Sequence, residues 1–205
     1  MSKENHWIYT ALGASNHKPE ERERDDYYAT PPYVIDSLLS TKTFSKDIWE
    51  PACGEMHLSN KLKTLGYNVF STDIVERGVA IDKELDFLSH YAEEYAGKYD
   101  IITNPPYKHA QEFCEQAISL AKRNVAMFLK IQFLEGVKRQ DLFGVAPPTY
   151  VAVFVRRVQC AKNGDWDSLK SGSPSTYAWF IWDKEKIARP IGTAYENQNP
   201  QILWV

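Results

Sequence analysis

The unit between Asp47 and Asp73 limits most sharply what this chain can fold into. Asp47-Ile48-Trp49-Glu50 reads as a short strand. It runs into Pro51-Ala52-Cys53-Gly54-Glu55-Met56-His57, then a helix through Leu58, Leu62 and Leu65 that stops at Gly66. Tyr67 to Asp73 is the next strand. Strand, tight glycine-containing turn, helix and strand form the nucleotide-cradling start of a doubly wound α/β sheet. The turn brings backbone amides and a helix N-terminus close to a ligand. With one glycine in it, the turn alone is a weak signal. Asp73 ends the second strand 19 residues after Gly54. That is where such folds hold a pair of ribose hydroxyls, and a turn-forming Asp is the alternative.

A second unit carries the chemistry. The apolar run Tyr99 to Thr103 reads as a buried strand and leads directly into Asn104-Pro105-Pro106-Tyr107. The prolines have fixed φ and no N–H, so the chain can neither continue a sheet nor start a helix at once. Their carbonyls are left to accept hydrogen bonds. Asn104 adds an acceptor and Tyr107 a flat face. Such a lip, at the end of a strand where open sheets place ligands, suits a planar substrate carrying an NH2 group. An ordinary proline turn is the alternative.

The remaining chain is ordered around these units. Residues 1–26 are polar and charged and form an N-terminal arm, with Trp7, Ile8, Tyr9 and Leu12 docking somewhere on the domain. Residues 27–205 form one domain. Thr30 is expected to cap a helix whose first turn holds Pro31, with Val34, Ile35, Leu38 and Leu39 on its apolar face. Gly78 to Asp82 reads as a third short strand, and Asp86-Phe87-Leu88 as a loop. Ala110 to Ala121 is a packing helix and Asn124 to Phe133 a buried strand. Val137 to Phe143 is a basic helix or loop. Thr149 to Arg156 and Tyr177 to Trp182 are strands, linked by an exposed loop from Cys160 to Ser175 that is rich in Gly, Ser, Asn and Asp. Ile202-Leu203-Trp204 reads as a last short strand.

Composition excludes some classes. No apolar run approaches transmembrane length, and the first residues lack the apolar core of a signal peptide. Cys53, Cys114 and Cys160 show no paired spacing, which points to reduced thiols in a cytoplasm and away from a disulfide frame or a zinc site. The net charge of −3 does not announce a nucleic-acid binder. Its distribution does more: residues 1–100 hold 11 Lys/Arg against 18 Asp/Glu, whereas residues 101–165 hold nine against five. The basic excess begins at the lip, and Lys108, Lys138, Arg139, Arg156 and Arg157 are candidates for phosphate contacts. Solvated charge on helix faces is the alternative for any one of them.

At this point the residues resemble a known family. Glu50-Pro-Ala-Cys-Gly-Glu-Met-His resembles motif I of class I S-adenosylmethionine (SAM) methyltransferases, and Asn104-Pro-Pro-Tyr resembles motif IV of the amino-methyltransferases. Tyr28-Ala-Thr-Pro is similar to their motif X. The whole chain, with its Gly13-Ala-Ser-Asn-His opening, resembles a small phage or prophage family of DNA N6-adenine methyltransferases. The resemblance implies a Rossmann-like sheet, mostly parallel with an antiparallel C-terminal strand and helices on both faces. It implies SAM as cofactor, DNA as partner and no metal. Tyr28, Thr30, Pro31, Glu50, Pro51, Ala52, Cys53 and Gly54 would line the cofactor's methionine side. Asp73 would hold the ribose hydroxyls, with Ile74 also at the cofactor, and Asp86 and Phe87 would meet the adenine. Asn104 and the Pro105 carbonyl would bind the target NH2, with Pro106 shaping the lip and Tyr107 stacking on the base. RNA bases, cytosine N4 and protein glutamine are substrates of related enzymes, and an inactive SAM- or nucleic-acid-binding module is a further alternative.

One position departs from the family. Met56 stands where a glycine is usual. Its side chain is expected either to crowd the cofactor or to force φ into a range a Met dislikes. The chain after the lip is too short for a separate recognition domain of usual size. Sequence specificity is therefore expected to be short or absent, or to be read by the Cys160–Ser175 loop and the N-terminal arm.

Overall fold

The computed structural model describes residues 27–162, 164–167, 169, 175–187 and 200–205. The N-terminal arm expected over residues 1–26 lies outside them, with its Trp7, Ile8, Tyr9 and Leu12 and the Gly13 to His17 stretch.

The strands are β1 (Tyr28–Ala29), β2 (Asp47–Glu50), β3 (Asn68–Asp73), β4 (Lys83–Glu84), β5 (Asp100–Thr103), β6 (Asn124–Lys130), β7 (Tyr150–Val153), β8 (Ala161–Lys162), β9 (Tyr177–Asp183) and β10 (Gln201–Trp204). The helices are α1 (Val34–Thr41), α2 (His57–Thr64), α3 (Ala110–Leu120), α4 (Gln140–Val145) and α5 (Lys184–Ile187). Eight strands form one sheet in the order β10-β7-β9-β6-β5-β2-β3-β4. Within it β9 alone runs against its neighbours. The last strand, β10, pairs parallel with β7, so the antiparallel strand is the penultimate one. The remaining pair, β1 and β8, forms an antiparallel ribbon outside the sheet.

The central strands are apolar on both faces because both faces are covered. Along β6, Val125, Met127 and Leu129 alternate with Ala126 and Phe128, the period of a strand. The first set packs with Trp49, Ile101, Phe180 and Trp182 under Phe113, Cys114 and Ala117 of α3. The second packs with Ile48, Ile102, Trp179 and Ile181 under Val34, Ile35 and Leu38 of α1 and Leu58 and Leu62 of α2. The buried Trp179 indole satisfies its N–H on the Val34 carbonyl, 2.9 Å away. Asp100, fully buried, accepts from the backbone N–H groups of Ser45, Arg123 and Asn124 and ties two other chain segments to the base of β5.

Several expected boundaries shift. Gly78 to Asp82 is not a strand. The Asp82 carboxylate accepts from Ser71 N–H (2.7 Å) while Asp82 N–H donates to Ser71 carbonyl (2.9 Å), so pairing with β3 begins there and continues as Lys83–Glu84. β6 stops at Lys130, and a 3-10 turn, Ile131–Leu134, takes over. The Val137 to Phe143 stretch is a 3-10 turn, Val137–Arg139, followed by α4. Thr30 does not cap α1, which begins at Val34 with Tyr33 before it and no side-chain cap. The Cys160–Ser175 segment is not simply an exposed loop: it opens with β8, and Ala161 is fully buried. Among the described residues no helix is long and apolar enough to cross a membrane.

Candidate functional site

The C-terminal ends of β2, β3 and β5 open on one cavity of about 370 Å³, roofed by β1. This is the size range of small-molecule sites, about 300–1,000 Å³. The fold brings together residues up to 80 positions apart in the chain. Tyr28 and Thr30 line the cavity from β1 and its exit; Glu50, Pro51, Ala52 and Cys53 follow β2; Asp73 and Ile74 end β3. Asp86 and Phe87 form another wall, and Asn104, Pro105, Pro106, Tyr107 and Lys108 follow β5. Two expected residues are not on the wall. Pro31 instead offers its carbonyl to Val34 N–H and turns the chain into α1. Gly54 is covered by Tyr27, whose ring occupies the place a Cβ would take.

The turn after β2 is built from backbone. Cys53 N–H donates to Thr72 carbonyl (3.0 Å) and Met56 N–H to Cys53 carbonyl (2.7 Å). Gly54, at φ +52°, donates its N–H to the Asp73 carboxylate at 2.8 Å. The same carboxylate accepts from Val75 N–H at 3.1 Å, so Asp73 closes the turn as well as facing the cavity. Met56 sits at φ 65° and ψ 24°, the only non-glycine residue with positive φ among those described. The backbone is therefore held as a glycine would hold it. The Met56 side chain is buried and does not line the cavity, while its backbone takes the positive φ that was the other expectation.

Glu50 is buried beneath the turn. Ser59 of α2 donates its hydroxyl to the carboxyl, and Ser71 of β3 lies 2.7 Å from the Ser59 hydroxyl. Burial raises its pKa to about 8; the Ser59 hydrogen bond opposes the shift and nearby Asp73 adds to it. Asp86 is exposed and its carboxylate accepts from Leu88 N–H (2.9 Å), which shapes the loop around buried Phe87.

The lip is pre-set. Asn104 donates its amide N–H groups to Tyr28 carbonyl (3.1 Å) and Thr30 hydroxyl (2.8 Å). A carbonyl can only accept, so the amide nitrogen must face β1 and the oxygen must face away. That oxygen, Asn104 Oδ1, is buried and has no hydrogen-bond partner among the described residues. An orphaned buried acceptor costs about 1–3 kcal/mol unless a ligand satisfies it. Of the two proline carbonyls, that of Pro106 is engaged by His109 N–H at 3.0 Å, a correction to the reading that left both open. Tyr107 is not a bare platform: its ring lies 5.4 Å from Tyr28, Lys130 Nζ sits 4.8 Å from its centroid, and its hydroxyl donates to Tyr177 at 3.1 Å.

The basic candidates follow the ends of strands that share one direction: Lys108 after β5, Lys138 and Arg139 after β6, Arg156 and Arg157 after β7. Those strand ends lie on the side of the sheet that carries the lip. Lys108 alone reaches the cavity wall. Arg139 is folded back, donating Nε to Glu135 carbonyl (2.9 Å) with its guanidinium 4.9 Å from the Phe133 ring.

Sequence reasoning missed Tyr27, Arg77 and His57, which also line the cavity. Arg77 lies 4.5 Å over the Tyr27 ring, and Tyr27 hydroxyl accepts from Glu55 N–H. Trp166, beyond β8, meets His57 edge-on at 5.4 Å, so this part of the expected recognition loop reaches the start of α2 after the turn. Tyr27, beside Tyr28, was the only one with a local signal.

No protein-family model and no curated protein sequence matches this chain. Solved structures do. A proposed RNA methyltransferase, PH1948 of Pyrococcus horikoshii, aligns with TM-score 0.53 at 15% identity, over 86% of this chain and 97% of its own. A protein solved for the conversion of a disulfide bond into a thioacetal group during echinomycin biosynthesis aligns with TM-score 0.52 at 11% identity, over 88% and 91%. The strand order, the single antiparallel strand and these likenesses agree: the chain has the Rossmann-like fold of class I SAM-dependent methyltransferases.

Proposed function

We propose that this protein transfers a methyl group from SAM to an exocyclic amino group, N6 of adenine in DNA. One observation carries the reading: Asn104 Oδ1 is fixed as a buried acceptor with no hydrogen-bond partner among the described residues. A lip of this kind asks for an N–H donor. A hydroxyl substrate would supply a single hydrogen, whereas NH2 supplies one for Asn104 and one for the Pro105 carbonyl.

The cavity's residues fit the cofactor. Asp73 keeps acceptor capacity for ribose hydroxyls beside the turn it closes, Asp86 and Phe87 offer an acceptor and a flat wall for adenine, and Glu50 offers a carboxyl group whose ionised form an adjacent ammonium would favour. When bound, SAM supplies an electrophilic methyl on a sulfonium. The chain's residues do the rest. An aromatic NH2 is a poor nucleophile because its lone pair is delocalised into the ring. Asn104 Oδ1 and the Pro105 carbonyl grip its hydrogens, favour tetrahedral nitrogen and aim the lone pair. As positive charge grows on that nitrogen, the same oxygens stabilise it. The alkylated nitrogen is acidic enough to lose its proton without a strong base.

In a duplex the amino group lies inside the stack, so the base must leave it to reach the lip. Tyr107 and the aromatic wall beside it replace stacking worth about 1–3 kcal/mol. The basic side chains that follow the strand ends on the lip's side of the sheet and the resemblance to phage adenine methyltransferases support DNA over other amino substrates. Transfer of labelled methyl from SAM to duplex DNA, single-stranded DNA, RNA and glutamine-containing protein tests the reading, with nucleosides identified by mass spectrometry. N6-methyladenine in DNA is expected. Label confined to RNA or protein refutes the DNA assignment, and SAM binding without transfer to any of them refutes catalysis.

A further inference from the structure

Behind the cavity wall, side chains from four separate segments meet. Tyr107 hydroxyl donates to Tyr177 hydroxyl at 3.1 Å. Cys160 packs beside Tyr107 against the cluster that contains Tyr177. In the ribbon Tyr28 opposes Lys162 and Ala29 opposes Ala161, which puts Thr30 and Cys160, one residue beyond each strand, at the same end. Thr30 hydroxyl, in turn, receives the Asn104 amide at 2.8 Å. Hydrogen bonds therefore hold each end of the lip, Asn104 to Thr30 and Tyr107 to Tyr177, with Cys160 packed beside the second pair.

The anchor of the second pair is rigid. Tyr177 begins the buried strand β9, sits opposite Lys130 of β6, and stacks on Phe128 with ring centroids 4.9 Å apart at 13°. Neither Tyr177 nor Cys160 borders the cavity, so neither is placed to touch a substrate. What they can do is hold residues that are.

We propose that Tyr177 is a positioning residue for methyl transfer: its hydroxyl fixes the ring of Tyr107 and, with Cys160 packed beside the pair, ties that end of the lip to the sheet. This rests on the amino-methylation reading above. Tyr107 is only half-buried, and the Tyr177 hydroxyl joins Tyr28 and Lys130 in setting where its ring lies. Burial pushes the Cys160 thiol up to about 12 and Tyr177 above the ordinary phenol range. Both stay neutral around neutral pH, so the link does not open and close with protonation.

Tyr177→Phe removes one oxygen and keeps the stacking on Phe128. The full chain would be assayed for kcat, KM and SAM affinity, and the Tyr107 ring followed by NMR with 13C-labelled tyrosine. Misplacing reacting groups by about 1 Å can cost about a hundredfold, so a fall in kcat of about tenfold to a hundredfold is expected, with SAM affinity within about twofold and faster Tyr107 ring flips. Cys160→Ala should move the same readouts, and Cys160→Ser should restore them. Unchanged ring dynamics, or unchanged kcat, in Tyr177→Phe overturns the proposal. Wild-type protein that methylates no amino substrate overturns the functional reading and the catalytic role together, and is distinguished because it appears before any substitution.

Discussion

Met56 offers a test in which the usual rank order of two substitutions should reverse. Its backbone occupies the left-handed region at φ 65°, where an L side chain costs about 1–2 kcal/mol. Its side chain is 7% exposed, so removing it also removes buried contacts. Met56→Ala loses those contacts, a change of about 2–5 kcal/mol in well-packed cores, and keeps the strain. Met56→Gly loses the same contacts and relieves the strain, at an added unfolded-state entropy of about 0.4–1 kcal/mol. The glycine variant should thus be the more stable of the two by about 0.5–1 kcal/mol, whereas Ala→Gly in an ordinary helix or strand destabilises by about as much. At this chain length 1 kcal/mol moves Tm by about 2–4 °C, which thermal melts and urea titrations resolve. Met56 is absent from the cavity wall, so SAM affinity should change little in either variant. An alanine variant as stable as the glycine variant, or more so, would refute the strain argument.

Other outcomes follow from the same geometry. Glu50 is raised from the ordinary carboxylate range to about 8, so between those values the native state binds the extra proton and stability should fall as pH rises toward 8. Glu50→Gln should flatten that slope in pH-dependent melts; an unaltered slope would assign it elsewhere. Lys138→Ala or Arg156→Ala should weaken DNA binding equally across sequences and reduce the salt slope by about 1, read from binding titrations at several salt concentrations. Arg139→Ala should act first on the local fold, since its guanidinium holds Glu135 carbonyl and covers Phe133; faster amide exchange around residues 133–139 would show it.

The units that depend on local pattern were legible in the sequence. β2, the turn, α2 and β3 follow from apolar periodicity and Gly66, and the lip follows from two prolines after an apolar run. What escaped depends on partners far away in the chain. Thr30 has the form of a helix cap, but Asn104, 74 positions on, takes its hydroxyl. The apolar residues of Gly78 to Asp82 suggested a strand, yet Asp82 anchors to Ser71 through its carboxylate and starts the pairing later. Tyr177 and Cys160 carry no local mark of a link to the lip. Tyr177 reads as one more aromatic of a buried strand, and Cys160 opens a polar segment whose pairing with β1 composition conceals.

The central claim is that Asn104 presents an acceptor to a reacting NH2. Its most direct measurement is methyl transfer to adenine in DNA by wild type and Asn104→Ala, alongside SAM affinity for both. Removing one group that stabilises developing charge lowers kcat by about 10²–10³. The account expects N6-methyladenine from wild type, a loss of that size in the variant, and SAM affinity nearly unchanged. Transfer that survives Asn104→Ala, or loss explained wholly by failed SAM binding, would contradict it.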